Sequence, residues 1–275
     1  MGGIEFLKGH GTQNDFVLLP DPDGCLELTE ARVAALCDRR RGLGADGVLR
    51  IVRSAALGVE SGGEWFMDYR NADGSIAEMC GNGVRVFVRH LVDSGLVPER
   101  DFVIGTRAGD RPVRMHADGS VTVQMGPATI TGTSVTVVAG QPFSGVAVNV
   151  GNPHLVSVVG DDVDVLDLRD QPDFDSDVFP EGVNLEFINL LGDNALKMRV
   201  HERGVGETRS CGTGTVAAVA AALHLAGTDT GEATVDIPGG RVVVEVRRGG
   251  STLTGPAEIV ARGELDETWW AGLGA

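Results

Sequence analysis

The sequence predicts an α+β protein built from two similar halves, and three observations lead to that class. Short stretches such as Ser120 to Met125, Val146 to Val150 and Arg241 to Arg247 alternate apolar and polar residues between DG, GG and PG dipeptides, the pattern of half-buried strands joined by tight turns. Helical periodicity is restricted to a few segments, unlike the regular strand–helix alternation of a doubly wound sheet. The same landmarks also recur in the same order in both halves, the mark of an internal duplication.

Taken in order, TEARVAALCDRR reads as a helix capped by Thr29, with Val33, Leu36 and Cys37 on one face. A second helix is expected over Val84 to Val92 and a third over Thr215 to Leu225, each just after a cysteine. The domain boundary is expected near Gly126 and Pro127, which gives halves 1–126 and 127–275.

The duplication appears when Glu64 to Val86 is set ungapped above Ala195 to Ala217. Met67 then meets Met198, Asn71 meets Glu202, Cys80 meets Cys211, Gly81 meets Gly212 and Gly83 meets Gly214. Asn14 lies 66 residues before Cys80 and Asn152 lies 59 before Cys211, while Asp46 lies 34 and Asn184 27 before the same cysteines. Both differences are 7, so a single indel in the Gly-rich stretch RSAALGVESGGEW accounts for both. With 40 glycines in the chain, chance matching of Gly-rich segments is the competing explanation. The shared offset weighs against it.

Hydrophobic content of 42% with 23% charged residues is that of a soluble globular protein. No apolar run reaches the length of a membrane span, and MGGIEFLKGHGTQNDF lacks the features of a secretory signal, so a cytoplasmic address is expected. A formal charge of −16 argues against nucleic acid as a partner, because polyanion binding relies on Lys and Arg displacing counterions. The four cysteines, Cys25, Cys37, Cys80 and Cys211, are too scattered for a disulfide framework and match no zinc spacing, so they are expected as thiols with no metal. Cys37 reads as core, and Cys25 has no partner in view.

Cys80 and Cys211 differ from these two. Each precedes Gly-x-Gly and a helix, so unpaired N–H groups at the helix start can meet an anion that the glycines allow close. A thiolate on one side of a carbon and a thiol on the other supply the base and the acid that inversion by proton transfer needs. A thiol with pKa ~8.5 is only slightly ionised at neutral pH, and a helix terminus contributes ~0.3–1 kcal/mol, less than the ~1.36 kcal/mol of one pKa unit. Further help must come from neighbours, for which His154 and Glu202 are the candidates. Backbone donors on the substrate carboxylate would stabilise the developing carbanion. Lys8 and Lys197 sit in strand-like stretches without the setting of a Schiff-base lysine, so no cofactor is expected.

KGHGTQNDFVLL, RNADGSIAEMCGNGVR, VGNPHLV, GVNLEFI and HERGVGETRSCGTGTVA, in that order, resemble diaminopimelate epimerase, with actinobacterial-type members closest. The resemblance runs from Lys8 to about Ala217. It implies a cofactor-independent isomerase that interconverts LL- and meso-diaminopimelate on the lysine and peptidoglycan pathway. It also implies two pseudo-symmetric domains, each a mostly antiparallel sheet or barrel rolled around a central helix, with the site in the cleft between them. The last ten or so residues are expected to return to the first half, and a homodimer is expected. Cys80 and Cys211 match the proton-transfer residues, and His154 and Glu202 those that adjust the thiols. Gly81, Asn82, Gly212 and Thr213 match the donors to the reacting carboxylate. Asn14, Asn71, Asn152, Asn184, Glu202 and Arg203 match positions that hold the substrate. Arg203 is suited to grip a carboxylate bidentately.

Two positions depart from the family pattern: Gln13 stands where many members have glycine, and Gly47 where some place a substrate-contacting glutamine. Proline and hydroxyproline racemases, expected to share the fold, are similar in their paired thiols but resemble CGHG and DRSPCGTG, whereas this chain has Asn82 and ETRSCGTG. Phenazine-pathway isomerases of the same architecture lack the cysteine pair. A ligand-binding or redox-sensing protein is the competing class, and reversible oxidation of Cys80 and Cys211 to a disulfide is expected.

Overall fold

The computed structural model describes residues 3–192 and 194–273. The chain divides into two compact units. One runs from the N-terminus to Val123 and takes in the residues from Pro256 onward, and the other spans Gln124–Gly255.

The first unit contains β1 (Ile4–Gly11), β2 (Asn14–Pro20), α1 (Glu30–Cys37), β3 (Gly47–Arg53), β4 (Trp65–Asn71) and α2 (Gly81–Asp93). An antiparallel meander of β5 (Asp101–Ile104), β6 (Arg111–Met115) and β7 (Val121–Gln124) follows. The late strand Glu258–Leu265 lies antiparallel on the outer side of β1, giving a five-stranded sheet that runs from it through β1, β2 and β3 to β4. Thr29 caps α1 by accepting from Arg32 N, and Val33, Leu36 and Cys37 are buried, as the periodicity predicts. Cys25 is exposed.

The second unit contains β8 (Thr129–Val138), β9 (Gln141–Asn149), β10 (Pro153–Val158), β11 (Asp173–Phe174), β12 (Asn184–Gly192), β13 (Ala195–Glu202) and β14 (Gly206–Thr208). After them come α3 (Gly212–Leu225), β15 (Gly231–Ile237), β16 (Gly240–Arg247) and β17 (Gly250–Gly255). The strands lie in the order β11-β8-β9-β10-β12-β13-β15-β16-β17, with β14 on β13. Ala217, Ala218, Val219, Ala220 and Ala221 are all buried, so α3 is apolar around its circumference and needs neighbours on every side. Strands from β8 to β17 supply them, and the small alanine side chains let those strands approach closely. No pairing among the described strands closes a barrel.

The halves share one pairing scheme. β1 and β2 are antiparallel, β2 and β3 parallel, β3 and β4 antiparallel. β9, β10, β12 and β13 repeat this sequence. Register corrects one sequence-level match. Phe16 pairs with Gly47 in the first unit and His154 with Asn184 in the second, so the counterpart of Asn184 is Gly47 rather than Asp46. Gly47 lies 33 residues before Cys80, so the halves differ by 6 at this point and by 7 at Asn14. A single indel therefore does not suffice. Sequence spacing cannot detect a one-residue slip, whereas in a sheet such a slip exchanges the two faces of a strand.

The helix starts are also corrected. Helices were expected from Val84 and Thr215, but α2 begins at Gly81 and α3 at Gly212. The cysteine itself is the cap, so the three residues after it are already helical.

Candidate active site

Each cysteine leaves the preceding chain in an extended conformation and turns its sulfur back over the first helical turn. Cys80 has φ −138° and ψ 117°, and its sulfur accepts from Gly83 N at 3.5 Å. Cys211 has φ −125° and ψ 118°, and its sulfur accepts from Gly214 N at 3.4 Å. This is an N-cap in which sulfur takes the place of a Ser or Asp oxygen. The opening amides of each helix, at Gly81 and Asn82 and at Gly212 and Thr213, lie at the positive end of the helix, a setting that suits an anion.

Around Cys80 the polar groups form a directional chain. Asn14 Oδ1 accepts from Cys80 Sγ at 3.5 Å and from Asn82 Nδ2 at 3.2 Å, while Asn14 Nδ2 donates to Asp46 Oδ2 at 2.7 Å. Arg85, fully buried, donates to Asn82 Oδ1 at 2.6 Å, to Thr12 Oγ1 at 3.0 Å and to Pro256 O at 3.0 Å. Burial draws the Arg85 guanidinium down to about 10, and the nearby Cys80 charge works the other way. Asp46 is anchored by Arg39, which also binds Asp15. Burial opposes ionisation of Asp15, yet bonds from Arg39 and Lys8 hold its carboxyl at about 2.

Around Cys211 the neighbours are acidic. His154 and Glu186 are wholly buried, with Nδ1 and Oε1 2.7 Å apart, and His154 Nε2 faces Asn152 Oδ1 at 2.9 Å. Glu202 accepts from Thr208 Oγ1 and is bonded to Cys211; burial pushes its carboxyl up. The Cys211 thiol is pushed well above the ordinary range by burial, then by the Glu202 and Glu186 charges, against a smaller opposing effect of Gly214 N–H. Thr213 Oγ1 lies 3.6 Å from the sulfur.

Asn71 closes β4, with its Nδ2 on Ser75 Oγ at 3.0 Å. Asn184 is buried, and its amide is engaged inside the second unit, with Nδ2 on Pro153 O at 3.0 Å and Oδ1 accepting from Arg203 N at 3.1 Å. Arg203 is exposed and bonds Glu181 O at 3.0 Å. Gln13 has φ 63° beside Thr12 at 52°, so the β1–β2 turn takes two left-handed residues in succession; this is why glycine suits the position. At Gly47 a Cβ would lie 2.5 Å from Arg70 O, so main chain forms the wall there. Sequence reasoning missed Glu186, Arg85 and the anchoring role of Asp46. The available signals were a lone acid inside the apolar run NLEFINLL and an arginine on the buried helix α2. Among the described residues no group of three His, Cys, Asp or Glu side chains is disposed to hold a metal ion.

The family model for diaminopimelate epimerase matches residues 6–131 and 146–260. A diaminopimelate epimerase of Rhodococcus opacus is 54% identical over 98% of this chain and 100% of its own length. One of Mycolicibacterium smegmatis is 56% identical over 96% of this chain and 98% of its own. Among solved structures, a probable proline racemase from Agrobacterium radiobacter superposes with a TM-score of 0.67 at 17% identity, over 96% of this chain and 93% of that one. A phenazine biosynthesis protein of the PhzF family from Bacillus anthracis gives 0.66 at 18%, over 97% and 100%. At such identities these two show a shared fold.

Proposed function

The chain belongs to the diaminopimelate epimerase family and is an epimerase of lysine biosynthesis; from that premise we propose that it inverts one α-carbon of diaminopimelate by proton transfer between Cys80 and Cys211, without a cofactor. The observation that carries this reading is the matched pair of sulfur caps, each at a helix start built to receive a carboxylate. One cysteine as thiolate removes the α-hydrogen, and the other as thiol returns a proton to the opposite face. Negative charge spreading onto the carboxylate is held by the opening amides of α2 and α3, where a well-placed donor is worth roughly 3–4 kcal/mol in other enzymes. His154 and Glu202 adjust the thiol inventory. Asn14, Asn71, Asn152, Asn184, Glu202 and Arg203 hold the distal amino-acid head, and a site made for that second head leaves buried polar groups unpaired when an ordinary amino acid binds.

We read the enzyme as a cytoplasmic homodimer, in keeping with its family and with the absence, among the described residues, of a helix long and apolar enough to cross a membrane. The test of function is α-hydrogen exchange in deuterated water, followed by NMR with LL-diaminopimelate, proline and hydroxyproline. Exchange with diaminopimelate alone is expected, and exchange confined to proline overturns the reading. Cys80→Ala and Cys211→Ala are each expected to slow epimerisation about a hundred- to ten-thousandfold.

A further inference from the structure

Glu186 is a wholly buried acid at a place where the fold does not need one. Register equates β12 with β3, Asn184 with Gly47, and hence Glu186 with Leu49. The first unit fills the corresponding space with hydrocarbon: a Cβ on Gly83 would meet Leu49 Cδ2 at 3.2 Å and Phe16 Cζ at 3.5 Å. In the second unit a Cβ on Gly214 would meet Glu186 Oε1 at 2.5 Å and Cys211 Sγ at 3.3 Å. The carboxylate thus lies against the first turn of α3, close to the sulfur, and only glycine leaves room for it. Its Oε1 is bonded to His154, while Oε2 is buried with no partner among the described residues. A carboxylate costs several kcal/mol to bury, so packing alone does not explain its presence in one half when leucine serves in the other.

We propose that Glu186 is a positioning residue for the epimerisation: its charge keeps the Cys211 sulfur protonated, and by accepting at Nδ1 it fixes the orientation of the His154 ring. The inference rests on Cys211 being a proton-transfer residue. The titratable groups that bear on this sulfur come from two strands, Glu186 on β12 and Glu202 on β13, with His154 on β10 acting in turn on Glu202. A carboxylate can only accept, so it fixes a donor at Nδ1 of the ring, whose Nε2 faces Asn152 Oδ1 at 2.9 Å.

The test is the pH profile of iodoacetamide alkylation at each cysteine of the full chain, resolved by peptide mass spectrometry. Glu186→Gln is expected to move the Cys211 profile about one unit to lower pH, roughly a tenfold faster reaction below the midpoint, while Cys80 in the same sample stays where it was. Glu186→Asp keeps the charge and should hold the parent profile. His154→Gln, which leaves the acid unopposed, should move it to higher pH and serves as the reading if Glu186→Gln does not fold. A Cys211 profile unmoved by Glu186→Gln and by His154→Gln, or one that shifts together with that of Cys80, overturns the proposal. Loss of diaminopimelate exchange in the parent enzyme would instead overturn the assigned reaction, and the alkylation profile does not depend on that outcome.

Discussion

Under Cys80 the sheet presents Phe16 and Leu49, with Tyr69 packed edge-on against Phe16 at 5.9 Å. At the equivalent places in the second unit stand His154, Glu186 and Val200. The backbone around the two sulfurs is nearly the same, down to the φ and ψ of the cap and its bond to the third amide of the helix. The charge around them is not. Arg85, on α2, has no carboxylate within ion-pair distance among the described residues, whereas α3 has Val216 at that place and two acids bearing on its cysteine. A duplicated scaffold can thus keep the geometry of a sulfur-capped helix start while separating the two sulfurs electrically, one beside a buried cation and the other beside two acids. Acid and base roles need such a separation, because two identical thiols would compete for one proton state.

The comparison can be broken or sharpened by experiment. The largest effect concerns the sulfurs. With its thiol pushed well above the ordinary range, Cys211 has a small thiolate fraction at pH 8, and alkylation more than about tenfold slower than that of exposed Cys25 is expected by peptide mass spectrometry. Equal rates would show that burial and the neighbouring acids do not hold back ionisation of Cys211. Next, Leu49→Glu copies the acid into the first unit without its histidine, and chemical denaturation should show a loss of about 3–5 kcal/mol, the usual result of an uncompensated buried charge. The reciprocal double variant His154→Phe with Glu186→Leu copies the hydrocarbon into the second unit. It should fold with unchanged stability or gain about 1–4 kcal/mol, while Cys211 alkylation moves to lower pH.

The glycines provide a finer test. Gly214→Ala drives a methyl into a carboxylate already fixed by His154 and should cost about 1–3 kcal/mol. Gly83→Ala has its tightest contact with a leucine methyl at 3.2 Å, and a better helix former offsets that contact, so its melting curve should stay within about 1 kcal/mol of the parent. The smallest effect is expected outside the matched sites: Gln13→Gly relieves a left-handed residue in the β1–β2 turn and should gain up to about 1 kcal/mol.

Much of the site was legible because its signals are local. A cysteine followed by Gly-x-Gly and a run of helix formers marks a helix close behind, although the starts at Gly81 and Gly212 lie three residues before the expected ones. Asn14 lies next to Cys80 and Glu202 next to Cys211, two residues that the family resemblance had singled out. The match of Asp46 to Asn184 failed because ungapped spacing carries no account of which strand face a residue occupies. Glu186 escaped for the same reason: in NLEFINLL it reads as one acid in a strand, and nothing nearby says that His154, 32 residues earlier, will meet it.

What the amino-acid order determined by itself was the α+β class, the doubled plan, and a helix close behind each of two thiols, since each depends on backbone preferences acting within a few residues. The tertiary structure decided which side chains lie behind those caps. That choice depends on parallel strand pairing between segments far apart in the chain, where a shift of one residue would exchange a buried carboxylate for its neighbour on the opposite face.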